Sequence, residues 1–160
     1  MFIAPGDFRV TVANIPASTY VKSIRMGNED VLRSGLHITK SVDTTVQIVI
    51  GTDGGTLQGS VLDGSLRPFT NATVALVPEG VVLRGQPEFY RSTTSDASGN
   101  FELKAIPPGS YKLFAWEWAP QDSWQNADFI RNYEGQGKVI RVVPFEKQQQ
   151  VQVNVISRAR

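Results

Sequence analysis

The segment from Thr94 to Glu117 constrains the fold most, because it reads as turn, strand, turn, strand. Asp96 and Gly99 are residue types that reverse a chain, since aspartate caps backbone amides and glycine tolerates positive φ. The stretch Phe101–Ala105 then alternates apolar and charged residues, a period of two that predicts a half-buried strand. The turn Pro107–Gly109 ends that strand, and the same alternation resumes after it.

The amino-acid sequence of this segment resembles that of a known family. The pattern T-S-D-x-x-G-x-F-x-L-x-x-I-P-P-G-x-Y-x-L-x-A-x-E is similar to the carboxypeptidase regulatory-like family, whose members have a transthyretin-like (prealbumin-like) β-sandwich. The resemblance covers roughly Gly55 to Ile156. It implies an architecture and no activity, because one fold hosts many functions.

Residue patterns after the glycine-rich stretch Gly51–Gly55 independently predict seven short strands, as in a sandwich. These strands are expected at residues 56–62, 72–77, 89–94, 100–105, 110–118, 138–143 and 149–156. One short helix is expected over Gln125–Tyr133, capped by Asp122 or Ser123. With the resemblance, the predicted fold is all-β: a transthyretin-like Greek-key β-sandwich with one short helix, preceded by a small N-terminal β segment.

The first fifty residues predict further short strands, so we expect two domains, an N-terminal β segment at 1–52 and the sandwich at 53–160. The N-terminal strands are expected at residues 7–13, 20–26, 31–32, 36–39 and 44–50. A segment of this size is marginal as a free-standing domain. It resembles the stretch that precedes such sandwiches in long multidomain bacterial proteins. Its missing strands would then come from residues before Met1 or from another molecule.

The bulk composition excludes several partners. The 160-residue chain carries a net charge of +1, and its lysine and arginine residues are scattered. The sequence therefore lacks the basic patch that is typical of nucleic-acid-binding proteins. No apolar run approaches the ~20 residues of a membrane span. We expect no signal peptide in residues 1–5, because they lack a charged start, an apolar core and a cleavage site, and the sequence contains no cysteine. A cytosolic location stays open, but the resemblance favours an extracellular or cell-surface protein.

The residues that usually carry chemistry are sparse, and we predict no catalytic residue, no cofactor and no metal. His37 is the single histidine, and without cysteine the usual zinc ligand sets cannot be assembled. A calcium site at Asp96, Ser98 and Asn100 lacks a visible full ligand shell. An isopeptide crosslink, which related pilus sandwiches use, would involve Glu102 and Asn154 but finds no lysine in the first predicted strand.

The aromatic residues around the end of the motif are the candidate interface or sugar-stacking residues: Phe114, Trp116, Trp118 and Trp124. The first three alternate with Tyr111, Leu113 and Ala115, so this strand is apolar on both faces and both faces need a cover. A lid formed by the predicted helix is the favoured cover, and a sugar or a protein partner is the alternative. Asn71 begins the one Asn-x-Thr sequon and is a candidate glycosylation site.

These features lead to three functional hypotheses. The first is a non-catalytic structural module that self-associates through β-strand edges, as a subunit of a bacterial surface filament, or that joins other domains of a longer surface protein. The second is a carbohydrate-binding accessory module that uses exposed tryptophans. The third is a periplasmic domain of an outer-membrane transport system.

Overall fold

The computed structural model describes residues 5–40 and 45–157. The strands of these ranges are β1 (Gly6–Phe8), β2 (Tyr20–Met26), β3 (Glu29–Asp30), β4 (Leu36–Ile38), β5 (Val46–Gly51), β6 (Gly55–Leu62), β7 (Thr73–Pro78), β8 (Arg91–Thr94), β9 (Asn100–Ile106), β10 (Gly109–Trp116), β11 (Lys138–Val142) and β12 (Lys147–Asn154). The helices are short: α1 (Val31–Ser34), α2 (Val81–Arg84) and α3 (Ala127–Arg131), with 3-10 turns at Pro87–Phe89, Ser123–Gln125 and Glu134–Gln136.

Seven of these strands form a two-layer sandwich. Sheet I has the order β11-β10-β7-β8, and sheet II has the order β12-β6-β9. Every neighbouring pair is antiparallel except β12 and β6, which run parallel. The predicted all-β sandwich is therefore confirmed.

The sandwich core lies between the two sheets, where the alternating residues of the motif meet. Leu103 on β9 and Leu113 on β10 are almost completely buried, and Leu57 and Val61 face them from β6. Each large apolar side chain buried in this way contributes about 1.5–3 kcal/mol. The period of two predicted for β9 and β10 is confirmed by this burial.

The N-terminal segment forms a three-stranded sheet of order β3-β2-β5 and a two-stranded ribbon of β1 and β4. Its own apolar cluster contains Val21, Ile24 and Leu32, and Phe89 from the sandwich side of the chain joins it. The segment thus packs against the sandwich. Met1 to Ala4 and the first residue of the strand predicted at 44–50 lie outside the described residues.

One of the predicted N-terminal strands is wrong, and another is shorter than predicted. Residues 31–32 begin α1, because the Asp30 side chain accepts a hydrogen bond from the Leu32 amide (3.2 Å) and caps the turn. The strand predicted at 7–13 ends at Phe8. Val10 and Val12 pack against the N-terminal cluster, but they are not part of a strand.

The glycine-rich stretch between β5 and β6 is a tight elbow. A Cβ atom on Gly51 would lie 2.5 Å from the Tyr20 ring, and one on Gly55 would lie 2.3 Å from Val142. Asp53 accepts hydrogen bonds from the Tyr20 hydroxyl (2.8 Å) and the Lys22 ammonium (3.0 Å). Burial and this carboxylate raise the pKa of Tyr20 to about 12. The domain boundary at 52/53 stays a prediction.

Candidate functional site

Sheet I is apolar on its outer face as well as on its core face. Phe114 and Trp116 lie on this outer face, and their rings stack with centroids 5.2 Å apart. Phe129 and Tyr133 cover Trp116, with ring centroids 5.4 and 5.7 Å from it. A second core therefore lies outside the sandwich, as a strand apolar on both faces requires.

The cover of this face is a lid, which we define as residues 123–136. Its central helix α3 is shorter than the predicted Gln125–Tyr133, because 3-10 turns flank it. The predicted cap at Asp122 or Ser123 is wrong. The Asn126 side chain caps α3 instead, accepting hydrogen bonds from the Asp128 and Phe129 amides (2.8 and 3.3 Å).

A charged cluster fastens the lid to sheet I and to α2. Glu134 receives two hydrogen bonds from the Arg84 guanidinium (2.8 and 3.2 Å) and one from the Lys112 ammonium (2.8 Å). Arg84 also donates to the Pro78 carbonyl (3.1 Å). Hydrogen bonds from Arg84 and then Lys112 lower the pKa of Glu134 to about 2. The lid is thus held by both packing and charge.

The structure separates the four aromatic candidates. Phe114, Trp116 and Trp124 are buried, with exposed fractions of 0%, 2% and 6%, so their rings offer no face to a ligand. Trp118 lies just beyond β10 and is 56% exposed. Since stacking needs an accessible ring, the sugar-stacking hypothesis is corrected to Trp118 alone.

The other predicted positions fall in turns or on exposed edges. Asn71 is exposed, with a φ of +57°, and its glycosylation stays a prediction. The Asp96 carboxylate accepts from the Ser98 and Asn100 amides (2.8 and 2.9 Å), which is a turn cap. His37 on β4 pairs with Asp7 across the exposed ribbon.

The described parts of the chain contain no candidate metal site. Across residues 5–40 and 45–157, no group of three or more histidines or carboxylates could hold an ion. No helix in those ranges is long and apolar enough to cross a membrane.

The sequence predicted the strand β5 but not the exposure of its apolar side chains. β5 is the outer strand of the N-terminal sheet, and its free edge has no strand partner among the described residues. Val46, Ile48 and Ile50 are 39%, 44% and 36% exposed. They are in register with three residues of β2 that belong to or contact the N-terminal cluster: Met26, Ile24 and Val21.

This register shows that the apolar core of the N-terminal segment extends to β5, where its side chains are exposed to solvent. Directly opposite residues of a strand pair lie on one face, so Ile48 shares the face of the fully buried Ile24. Val49 on the other face of β5 is also exposed, at 37%. The signal in the sequence was the uncharged run Val46–Ile50, which alone does not distinguish a central strand from an edge.

Comparison with known families gives a match within the sandwich. Residues 56–126 match the model of the carboxypeptidase regulatory-like domain. The predicted family is therefore confirmed for this part of the chain. No curated protein matches the chain in a sequence search.

Several solved structures are similar in fold. The TIE protein of Bacillus anthracis is 15% identical, with a TM-score of 0.40 over 75% of this chain and 20% of that protein. BcpA, the major pilin subunit of Bacillus cereus, is 17% identical, with a TM-score of 0.40 over 69% of this chain and 31% of that one. The 5-hydroxyisourate hydrolase of Klebsiella pneumoniae is 18% identical, with a TM-score of 0.34 over 64% of this chain and 90% of the enzyme.

The chain spans less than a third of the length of the first two proteins. These similarities are to a pilin subunit and to an enzyme alike, and they transfer neither an activity nor a partner to this chain.

Proposed function

We propose that the protein is a non-catalytic structural module of an extracellular surface assembly, and that it associates with a second copy of itself through the free edge of β5. The observation that carries this proposal is the exposure of Val46, Ile48 and Ile50 along one edge strand. Edge strands present unpaired backbone donors and acceptors, which another strand can satisfy.

The composition of β5 favours a second copy as the partner. No charged residue occurs between Thr45 and Gly51, so two β5 strands bring no like charges together. Soluble proteins usually protect such an edge with lysine, proline or a bulge. One of the two outer strands of sheet I, β11, has that protection, because Lys138 and Arg141 lie on it.

Antiparallel pairing of β5 with β5 would join two N-terminal sheets into one continuous sheet. It would also bring the uncovered ends of the two apolar cores together. Such an interface is isologous and closes as a two-fold dimer. The dimer is then the unit of assembly, and growth into a filament would need a further contact.

The test measures the mass of the protein in solution by light scattering over a range of concentrations. We expect wild-type protein to dimerise and Ile48→Lys to stay monomeric, since each edge would present a charge to the other. Leu66→Lys is the matched control, because Leu66 is a 75% exposed leucine in the β6–β7 loop. A wild-type protein that stays monomeric at the highest concentration contradicts the proposal.

A second candidate function is carbohydrate binding at Trp118, which its exposure of 56% supports. Titration of tryptophan fluorescence with a polysaccharide panel tests it. The signal should change in wild-type protein and be lost in Trp118→Phe if the indole contacts a sugar. An unchanged signal across the panel removes this candidate.

A further inference from the structure

The outer face of sheet II carries a polar trough of about 1040 Å³ that is separate from β5 and from Trp118. Gln58, Asn100, Glu102, Gln149, Gln150 and Gln152 line it. Ser60 of β6, and Thr93 and Thr94 of the neighbouring edge strand β8 of sheet I, also line it, together with Gly59, Asp96 and Phe101. The lining is therefore rich in residues with side-chain amides and hydroxyls.

The register of sheet II arranges part of this surface in a straight row. Gln152 on β12 lies opposite Ser60 on β6, and Ser60 lies opposite Asn100 on β9. Gln58 lies opposite Glu102 in the next row and donates a hydrogen bond to it. Since neighbouring strands are about 4.8 Å apart, the first row, which crosses three strands, spans roughly 10 Å, about the length of two sugar rings.

A bulge in β12 adds amides to the trough. The pairing with β6 shifts between Gln148 and Val151, and Gln150 has a φ of +60°. Successive residues of a regular strand point to opposite faces, yet Gln149 and Gln150 are both exposed and both line the trough.

The side chains in this trough are available to a ligand. Within the described residues, no group hydrogen-bonds the side-chain amides of Gln149, Gln150 or Gln152. A primary amide carries two donors and an acceptor, and a sugar hydroxyl likewise both donates and accepts. Lys104 offsets the charge of Glu102 (2.7 Å), which leaves Asp96 as the remaining negative charge of the lining.

From this arrangement we propose that the amide trough of sheet II binds a neutral oligosaccharide or polysaccharide chain. A polyanion is disfavoured because two carboxylates, Asp96 and Glu102, line the trough. A protein interface is disfavoured because Phe101, the aromatic residue of the lining, is 5% exposed and belongs to the sandwich core. Exposed apolar or aromatic anchors carry most of the energy of protein interfaces. Without an aromatic platform each site is weak, and a surface assembly would gain strength by presenting many copies.

The test is an NMR titration of the full chain with four neutral hexasaccharides: cellohexaose, maltohexaose, mannohexaose and chitohexaose. Side-chain amide resonances report the proposed contacts directly. We expect at least one sugar to shift the NH₂ signals of Gln150, Gln152 and Asn100, while heparin leaves them unchanged. If none of the four sugars moves these signals, or if the shifts map to Trp118, the proposal is overturned.

Substitutions refine the test. Gln150→Ala with Gln152→Ala should weaken binding about tenfold or more, as the loss of one or two hydrogen bonds predicts. Gln136→Ala is the control, because Gln136 is an exposed glutamine of the lid, remote from sheet II. Backbone amide spectra show whether each variant keeps the fold. Unchanged affinity in a folded double variant overturns the assignment.

Discussion

Arg91 donates two hydrogen bonds to the carbonyl of Ala105, from Nε at 3.1 Å and from a terminal guanidinium nitrogen at 2.6 Å. Ala105 has a φ of +50°, and its carbonyl lies where the β6–β9 register shifts. Arg91 also donates to the carbonyls of Glu88 and Tyr90 (2.9 and 2.7 Å). The guanidinium thus joins β8 of sheet I to β9 of sheet II, where no ladder joins the sheets.

We expect Arg91→Ala to lower the free energy of unfolding by about 2–3 kcal/mol, because buried carbonyls lose charged donors. Because the guanidinium is largely withdrawn from water, burial lowers the pKa of Arg91. Urea denaturation measures the change. Arg141→Ala, which removes an exposed arginine of β11, is the control and should change stability little. Equal stability of the two variants would contradict the assigned role.

The lid should loosen at acid pH. The pKa of Glu134 is about 2 in the folded protein and ordinarily about 4.5. A lowered pKa stabilises the fold fully above pH 4.5, and this stabilisation is lost as the pH falls from 4.5 to 2. Because the side chain is 39% exposed, solvent screening leaves about 1 kcal/mol.

Thermal melts between pH 2 and pH 6 test this expectation. In Glu134→Gln, the fall in melting temperature below pH 4.5 should be smaller than in the wild-type protein. Asp128→Asn removes an exposed carboxylate of the same lid and is the control. A slope in Glu134→Gln identical to that of the wild-type protein would show that the cluster does not hold the lid.

Gly59 is expected to tolerate no side chain. A Cβ atom there would lie 1.9 Å from the Val151 carbonyl oxygen, and backbone cannot move aside as a flexible side chain can. Gly59→Ala should therefore destabilise the sandwich by about 3 kcal/mol. Gly64→Ala is the matched control, because nothing lies within 4 Å of a Cβ atom there. Chemical denaturation of both variants decides the question.

The two tryptophans at the end of the motif should respond differently to truncation. Trp116→Ala should cost about 3–5 kcal/mol, because it removes a ring from the core beneath the lid. Trp118→Ala should cost less than about 1 kcal/mol, because most of its side chain is exposed. Urea denaturation monitored by circular dichroism compares them. Similar losses in both variants would show that Trp118 also packs in a core.

The sequence predicted the sandwich well because its information is local. The alternation in β9 and β10 places Leu103 and Leu113 in the core without knowledge of the partner strand. The requirement for a lid also followed from one strand, since Phe114 and Trp116 alternate with core residues. Caps were harder. Asp30 and Asn126 begin helices only because their side chains meet nearby amides, and the surrounding letters also allowed a strand or an earlier cap.

Features that depend on strand order could not be predicted from the amino-acid sequence. Ile48 is exposed because β5 is an outer strand, and only the assembled sheet shows which strands are outer. The trough likewise depends on the pairing of Gln152, Ser60 and Asn100, which are far apart in sequence.

The parallel pairing of β6 and β12 has a mechanical consequence. From Thr56 opposite Lys147 to Leu62 opposite Asn154, the two strands run side by side in the same direction. Tension that enters through the elbow before β6 and leaves after β12 pulls these strands past each other lengthwise. Their hydrogen bonds are then loaded together in shear and do not open one at a time. The sandwich is thereby suited to bearing a pulling force along its chain.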